Sequence, residues 1–139
     1  MHGADSRSGV WRCSYSAQKE KENGIYTLKW EVFPYEKQQI PEKTYTKWFD
    51  YDKIRSSLSV RHRLQGDYLV VNQKGGRKKL KDYLIDCKIP RQERDKLTLL
   101  ADGSHILWVV GYRISENYKV TSQTKQILKV QVKGVEENE

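Results

Sequence analysis

Apolar and polar positions alternate from Ile25 to Phe33. Tyr26, Leu28, Trp30 and Val32 share one face, and Ile25, Thr27, Lys29, Glu31 and Phe33 take the other. Period two marks a half-buried antiparallel strand. Asn23-Gly24 stands directly before it and favours a tight turn, and Val10 to Tyr15 predicts a further strand beyond the polar run Gln18 to Gly24. Pro34 and Pro41 bracket a loop. Tyr45, Lys47, Phe49 and Tyr51 then alternate with Thr46, Trp48 and Asp50, predicting another strand. Leu58 to Leu64 reads as a strand with Arg61 and Arg63 on one face. Gln65-Gly66-Asp67 is a turn, and Tyr68 to Val71 a short strand or buried corner.

The period changes after Gly75-Gly76. Leu80, Tyr83, Leu84 and Cys87 follow helical spacing, with Lys78, Lys79, Lys81, Asp82 and Asp86 between them. The spacing predicts a helix over Lys78 to Cys87, packed through Leu80, Tyr83 and Leu84. Pro90 suits a first helical position, with Glu93 in the first turn, so a second helix of about two turns is expected over Pro90 to Lys96. Leu97 to Leu100 looks like a strand entering the turn Asp102-Gly103. Ile106 to Val110 is an unbroken apolar run, expected as a central strand, and Val120-Thr121 and Ile127 to Val132 are expected to close the sheet. The fold class is therefore α+β, mostly antiparallel sheet, with a short helical hairpin inserted between strands. Residues 1–9 are expected as a disordered or vector-derived tail and 10–43 as a strand-rich preceding portion. Residues 44–132 form the main domain and 133–139 an acidic tail.

Composition fits one folded domain. The chain has 139 residues, only 37% of them hydrophobic, but four Trp and nine Tyr supply large buried area per residue. No run approaches the ~20 apolar residues of a membrane helix, and no signal-peptide pattern opens the chain. Cys13 and Cys87 fit no metal spacing and read as free thiols. A cytoplasmic protein is the simplest expectation.

Charge changes the picture. The formal net charge is +8, and 13 Lys and Arg stand against 6 Asp and Glu between Asp52 and Lys96. Such a balance favours phosphate-rich partners. Arg77, Lys78, Lys79 and Lys81 flank the predicted helix start, where unpaired N–H groups and the helix dipole favour an anion. Lys88, Arg91 and Arg94 follow, the last two sharing a helix face. Arg61, His62 and Arg63 form a second basic group and Arg113 a third element. Asp82, Asp86, Glu93 and Asp95 offer local ion pairs to these bases, each contributing only ~0–1 kcal/mol when exposed. Trp108 is expected in the core, whereas Tyr112 and Tyr118 beside Arg113 are candidates for stacking on a base.

Catalytic signatures are lacking. His2, His62 and His105 are isolated, and no HExxH, nucleophile elbow or GxxxxGK[ST] occurs. Gly75-Gly76 beside Arg77 and Lys78 lacks the spacing of a phosphate loop; its expected role is a positive φ before the helix.

Several segments, in order, resemble the C-terminal domain of tRNA(Ile)-lysidine synthetases. They are Leu58-Ser59-Val60-Arg61-His62-Arg63 with Gly66-Asp67, then Lys78-Lys79-Leu80-Lys81-Asp82-Tyr83-Leu84-Ile85-Asp86, then Lys88-Ile89-Pro90-Arg91 and Arg94. Leu99-Leu100, Ile106-Leu107-Trp108-Val109 with Gly111 and Arg113, and Thr121 with Lys125, Ile127 and Leu128 complete the series. The resemblance covers about Thr44 to Val130 and is most specific over Lys78 to Arg94. It implies a bacterial tRNA-binding portion that grips the acceptor-stem region of isoleucine tRNA. A separate N-terminal catalytic domain of the same enzyme would join lysine to the wobble cytidine, using ATP with magnesium. That domain carries an SGGxDS-type loop, absent from this chain, so no cofactor and no catalysis are expected here. The candidate tRNA-binding residues, read from the basic clusters, are Lys78, Lys79, Lys81, Lys88, Arg91, Arg94, Arg61, Arg63 and Arg113. A stand-alone RNA-binding module, or a structural or protein-interaction domain with incidental basic charge, are the alternatives.

Overall fold

In the computed structural model the described residues are 8–11, 21–22 and 25–134. Among them, a four-stranded antiparallel sheet contains β1 (Ser8–Trp11), β4 (Leu28–Pro34), β5 (Thr46–Asp50) and β11 (Gln126–Val132), in the order β1-β4-β11-β5. A five-stranded sheet runs β6-β9-β10-β7-β8, from β6 (Leu58–Arg61), β7 (Tyr68–Val70), β8 (Arg77–Lys79), β9 (Leu99–Asp102) and β10 (His105–Val109). Within it only β7 and β10 are parallel. A small ladder joins β2 (Lys21–Glu22) to β3 (Ile25–Tyr26), with Glu22 opposite Ile25; Asn23 and Gly24 between them lie outside the described residues. Helices α1 (Leu80–Asp86) and α2 (Arg91–Arg94) sit between β8 and β9.

Three layers result, and the sequence pattern dictates their order. Leu28, Trp30 and Val32 of β4 are buried while Lys29 and Glu31 are exposed. Their buried face meets Leu128, Val130, Phe49, Val60, Leu100, Leu107 and Trp108 in a core between the two sheets. A second core lies on the other face of the five-stranded sheet, where Leu80 and Leu84 of α1 pack with Ile89 on Leu69, Leu99, Ala101, Ile106 and Val109. Strands β9 and β10 are covered on both faces, so their apolar runs are unbroken. A β-bulge between Ile106 and Trp108 turns both Leu107 and Trp108 into the inter-sheet core.

Several expectations need correction. Arg77 to Lys79 is strand, not the entry to a helix: β8 pairs antiparallel with β7, and Gly75 takes φ +86° in their hairpin. The first helix begins only at Leu80. Pro90 caps the second helix rather than opening it, and that helix is a single turn. The strand at Leu58 stops at Arg61. Val120-Thr121 is loop, because it has no ladder partner among the described residues. The strand-rich portion over 10–43 does not stand apart, since β4 lies between β1 and β11. Ser8 and Gly9, expected in the tail, belong to β1. Residues 1–7, 12–15 of the first predicted strand, Cys13 and the glutamates at 136, 137 and 139 lie outside the described residues.

Candidate nucleic-acid interface

The basic segment begins in the β7–β8 hairpin. The Asn72 side-chain oxygen accepts hydrogen bonds from the N–H groups of Lys74 and Gly76, each at 3.0 Å, and so fixes the turn. Alternation along β8 then sends Lys78 toward α1, where it pairs with Asp86. That hydrogen bond and the Asp86 charge raise the Lys78 ammonium above its ordinary range. Lys79, on the opposite side of the strand, is exposed and directly precedes α1. The Leu80 N–H donates to the Asp67 carbonyl at 2.9 Å and anchors the helix start.

The far end of α1 is closed by backbone geometry. The Ile89 N–H donates to the Leu84 carbonyl and the Lys88 N–H to the Ile85 carbonyl. This is a Schellman motif, with Ile89 and Leu84 also meeting in the core. The motif places Lys88 at φ +60°, a left-handed conformation more often held by glycine. Its side chain is exposed, as is that of Arg91 on α2. Arg94 is half-buried, and its Nε–H donates to the Ile89 carbonyl at 2.9 Å.

The nine candidate binding residues thus fall into two sets. Lys79, Lys81, Lys88 and Arg91 are exposed and make no ion pair among the described residues. Lys79 ends the edge strand β8, Lys81 and Lys88 stand at the two ends of α1, and Arg91 opens α2, a basic ridge that follows the chain from the sheet edge to the second helix. Lys79 and Lys81 also line a cleft of about 630 Å³ with Arg63, Leu64, Gly66 and Asp95. The others are engaged. Arg61 grips Asp67 and also donates to the His62 and Gly103 carbonyls. Arg63 pairs with Asp95 at 2.7 Å, and its hydrogen bond holds the Asp95 carboxyl below the usual range. Arg113 pairs with Glu116 at 3.1 Å. Of the expected neutralising acids, Asp86 and Asp95 do pair with members of the set.

The expected stacking residues separate as well. Tyr112 is exposed, but Tyr118 is buried, and its hydroxyl donates to Asp102 at 2.9 Å. Tyr118 instead ends an internal column: its ring meets His105 at 4.7 Å, His105 meets Tyr68 at 4.7 Å, and the Arg77 guanidinium lies 4.4 Å over Tyr68. The pairing of Arg77 with this column was not legible without the β7–β8 hairpin. Burial works to raise the Asp102 carboxyl, but hydrogen bonds from Arg55 and Ser56 outweigh it and hold it low. Among the described residues, no group of three or more His, Cys, Asp or Glu could hold a metal, and no helix is long and apolar enough to cross a membrane.

Comparison with known proteins gives this geometry a context. The profile of the TilS substrate C-terminal domain matches residues 58–132. The tRNA(Ile)-lysidine synthase of Clostridium tetani (strain Massachusetts / E88) is 47% identical over 95 residues, covering 68% of this chain and 20% of that protein. That of Caldanaerobacter subterraneus subsp. tengcongensis is 48% identical over 87 residues, covering 63% and 19%. The chain therefore spans about a fifth of the length of these curated relatives. A crystal structure of a TILS C-terminal domain superposes with a TM-score of 0.61 at 30% identity, covering 90% of this chain and 97% of that one. Sequence and fold agree, and this chain belongs to the TilS substrate C-terminal domain family.

Proposed function

We propose that this chain is the tRNA-holding portion of a tRNA(Ile)-lysidine synthase. Its basic ridge grips the acceptor-stem region of isoleucine tRNA while a separate N-terminal catalytic domain modifies the wobble cytidine with lysine, using ATP. The observation that carries this reading is the ridge itself. Lys79, Lys81, Lys88 and Arg91 are exposed and without ion pairs among the described residues, on a domain whose relatives are named for tRNA. Duplex RNA is recognised mainly through phosphates, 2′-hydroxyls and shape, because its major groove is too narrow for side chains. A ridge of cations on a short helical hairpin suits that task. Arg91 can hold a phosphate in bidentate fashion, and the three lysines act as mobile point charges.

The test is a salt titration of isoleucine tRNA binding by the chain and by its Lys79→Ala/Lys81→Ala/Lys88→Ala/Arg91→Ala variant. Each phosphate contact contributes ~0.7–0.9 to the slope of log K against log salt. The variant should lose about three units of slope without a loss of melting temperature. Equal slopes and affinities would sink the reading. A second arm incubates the chain with ATP, lysine and tRNA. No pyrophosphate is expected, and its release would show that the chain carries catalysis of its own.

A further inference from the structure

The outer face of the four-stranded sheet, on the far side of the molecule from α1 and α2, carries polar groups that the fold does not use. Thr46 and Trp48 lie two apart on β5, and the register sets them opposite Gln131 and Lys129 of β11. Thr46 is 2% exposed, and among the described residues its hydroxyl has no hydrogen-bond partner. The Trp48 indole N–H is likewise buried and unpartnered. Both residues line a cleft of about 650 Å³ with Lys43, Lys129 and Gln131, well within the size range of small-ligand sites. Phe33 meets the Trp48 ring edge-on at 5.1 Å and 80°, which fixes the orientation of the indole.

A buried donor or acceptor without a partner is costly, and most native ones are satisfied. The Trp108 indole N–H is likewise unpartnered inside the packed core, so a lone orphan carries no argument; Thr46 and Trp48 differ in lying on one face of one strand and lining one cleft, and that coincidence points to a ligand that completes them. Residues 39–43 line the cleft, and among the described residues 39–42 make no hydrogen bond. The surrounding charge is positive. Lys43 and Lys129 stand in this cleft against Glu42; Lys47 and Lys119, the latter paired with Glu116, line an adjoining one of about 600 Å³ that shares Trp48.

From these observations we infer that this sheet face binds an unpaired RNA nucleotide. Its base stacks on Trp48 and bonds to Thr46 and Gln131, and its phosphates lie along Lys43 and Lys129, one phosphate oxygen accepting from the Trp48 indole N–H. Stacking on an aromatic ring combined with a basic track is the general chemistry of single-strand recognition. The inference rests on the RNA-binding reading for the class of partner, but its residues are separate from the helical ridge.

The experiment titrates the full chain with a labelled single-stranded RNA hexamer of mixed sequence and with a blunt RNA duplex. Thr46→Val keeps the side-chain shape and removes the hydroxyl. It should leave the melting temperature equal or higher, yet weaken hexamer binding by about 5-fold or more. Trp48→Leu should weaken it by about 10-fold and abolish the tryptophan quenching that the hexamer produces in the wild type. Neither change should alter duplex binding, which the Lys79→Ala/Lys81→Ala/Lys88→Ala/Arg91→Ala variant should lose. A hexamer that binds the wild type and both sheet variants equally, or fails to bind while the duplex binds, overturns this inference and leaves the ridge intact. Loss of hexamer binding in Trp48→Leu but not in Thr46→Val also overturns the assigned hydroxyl contact. Equal competition by an acidic peptide would assign the face to a protein partner instead. A wild type that binds neither RNA overturns both readings.

Discussion

The Arg61 guanidinium holds the Asp67 carboxylate with two parallel hydrogen bonds, each 2.9 Å long. The Asp67 side chain is 2% exposed and also accepts from the Leu64 N–H, so its carboxylate is held almost wholly by protein donors. Removing one partner of such a pair leaves the other charge buried, at a cost of ~3–5 kcal/mol. Arg61→Ala should therefore lower thermal stability by several kcal/mol, and any loss of tRNA binding should track unfolding. A stable Arg61→Ala protein with selectively weakened binding would place Arg61 in the interface. Arg61→Lys should rescue only in part, because an ammonium cannot reproduce the two-pronged geometry.

Arg91 and Arg94 share the same short helix but should behave differently. Arg91 is exposed, whereas Arg94 is tied to the Ile89 carbonyl at the end of the Schellman turn. Arg91→Ala should reduce the salt slope of tRNA binding by ~0.7–0.9 with an unchanged melting temperature. Arg94→Ala should destabilise the chain by ~1.5–3 kcal/mol, the range for a hydrogen bond involving a charged group. Denaturant melts of the two single variants decide the matter. Equal stabilities would mean that the Ile89 bond contributes nothing in solution.

These contrasts show where the sequence was legible. Period two over 25–33 gave the strand β4 and its buried face, and the spacing of Leu80, Tyr83 and Leu84 gave the buried stripe of α1, because both signals are local. Strand β8 was hidden. Arg77-Lys78-Lys79 has no strand preference of its own and becomes strand only by pairing with Tyr68-Leu69-Val70 across a turn. Val120-Thr121 failed in the opposite sense: these β-branched residues find no neighbour to pair with among the described residues. The basic residues were visible as charges, but their partners were not. Nothing local distinguishes Arg61, bound to Asp67, from Lys81, which is exposed. Tyr118 was misread for the same reason, since its place in the column beneath His105 depends on a contact between distant segments.

Lys88 offers a test of stability against binding at one position. At φ +60° a side chain strains the backbone, and glycine relieves that strain. Relief of ~1–2 kcal/mol of left-handed strain, less the ~0.4–1 kcal/mol that glycine costs through unfolded-chain entropy, leaves Lys88→Gly more stable by about 0.5–1 kcal/mol while removing one cation from the ridge. Thermal melting and tRNA affinity should thus move in opposite directions. Lys88→Ala keeps the strain and removes the charge, so it should weaken binding without the gain in stability. If Lys88→Gly leaves tRNA affinity unchanged, this end of α1 does not face the RNA.

The column through His105 makes the fold acid-sensitive in a defined direction. Burial lowers the His105 imidazole from its ordinary 6.5, with the Arg77 charge adding to the effect and Asp102 opposing it. The folded chain therefore takes up this proton at lower pH than the unfolded chain. Between those two values the unfolded state binds more protons, and stability rises with pH. Stability from this group is complete above about pH 6.5 and is lost as pH falls through the lower folded value. One proton limits the slope to ~1.4 kcal/mol per pH unit. Asp102 acts in the same direction further down: its carboxyl is held below the ordinary 3.8, so its contribution is lost only in stronger acid. Two steps are expected, one starting near pH 6.5 and one below pH 4. His105→Gln keeps a polar group near the Ser115 hydroxyl, which lies 2.8 Å from the imidazole, but cannot titrate. It should flatten the first step and leave the second. A wild-type stability curve that is level between pH 7 and 5, or a His105→Gln curve with the same fall, would show that the imidazole is not held neutral by the fold.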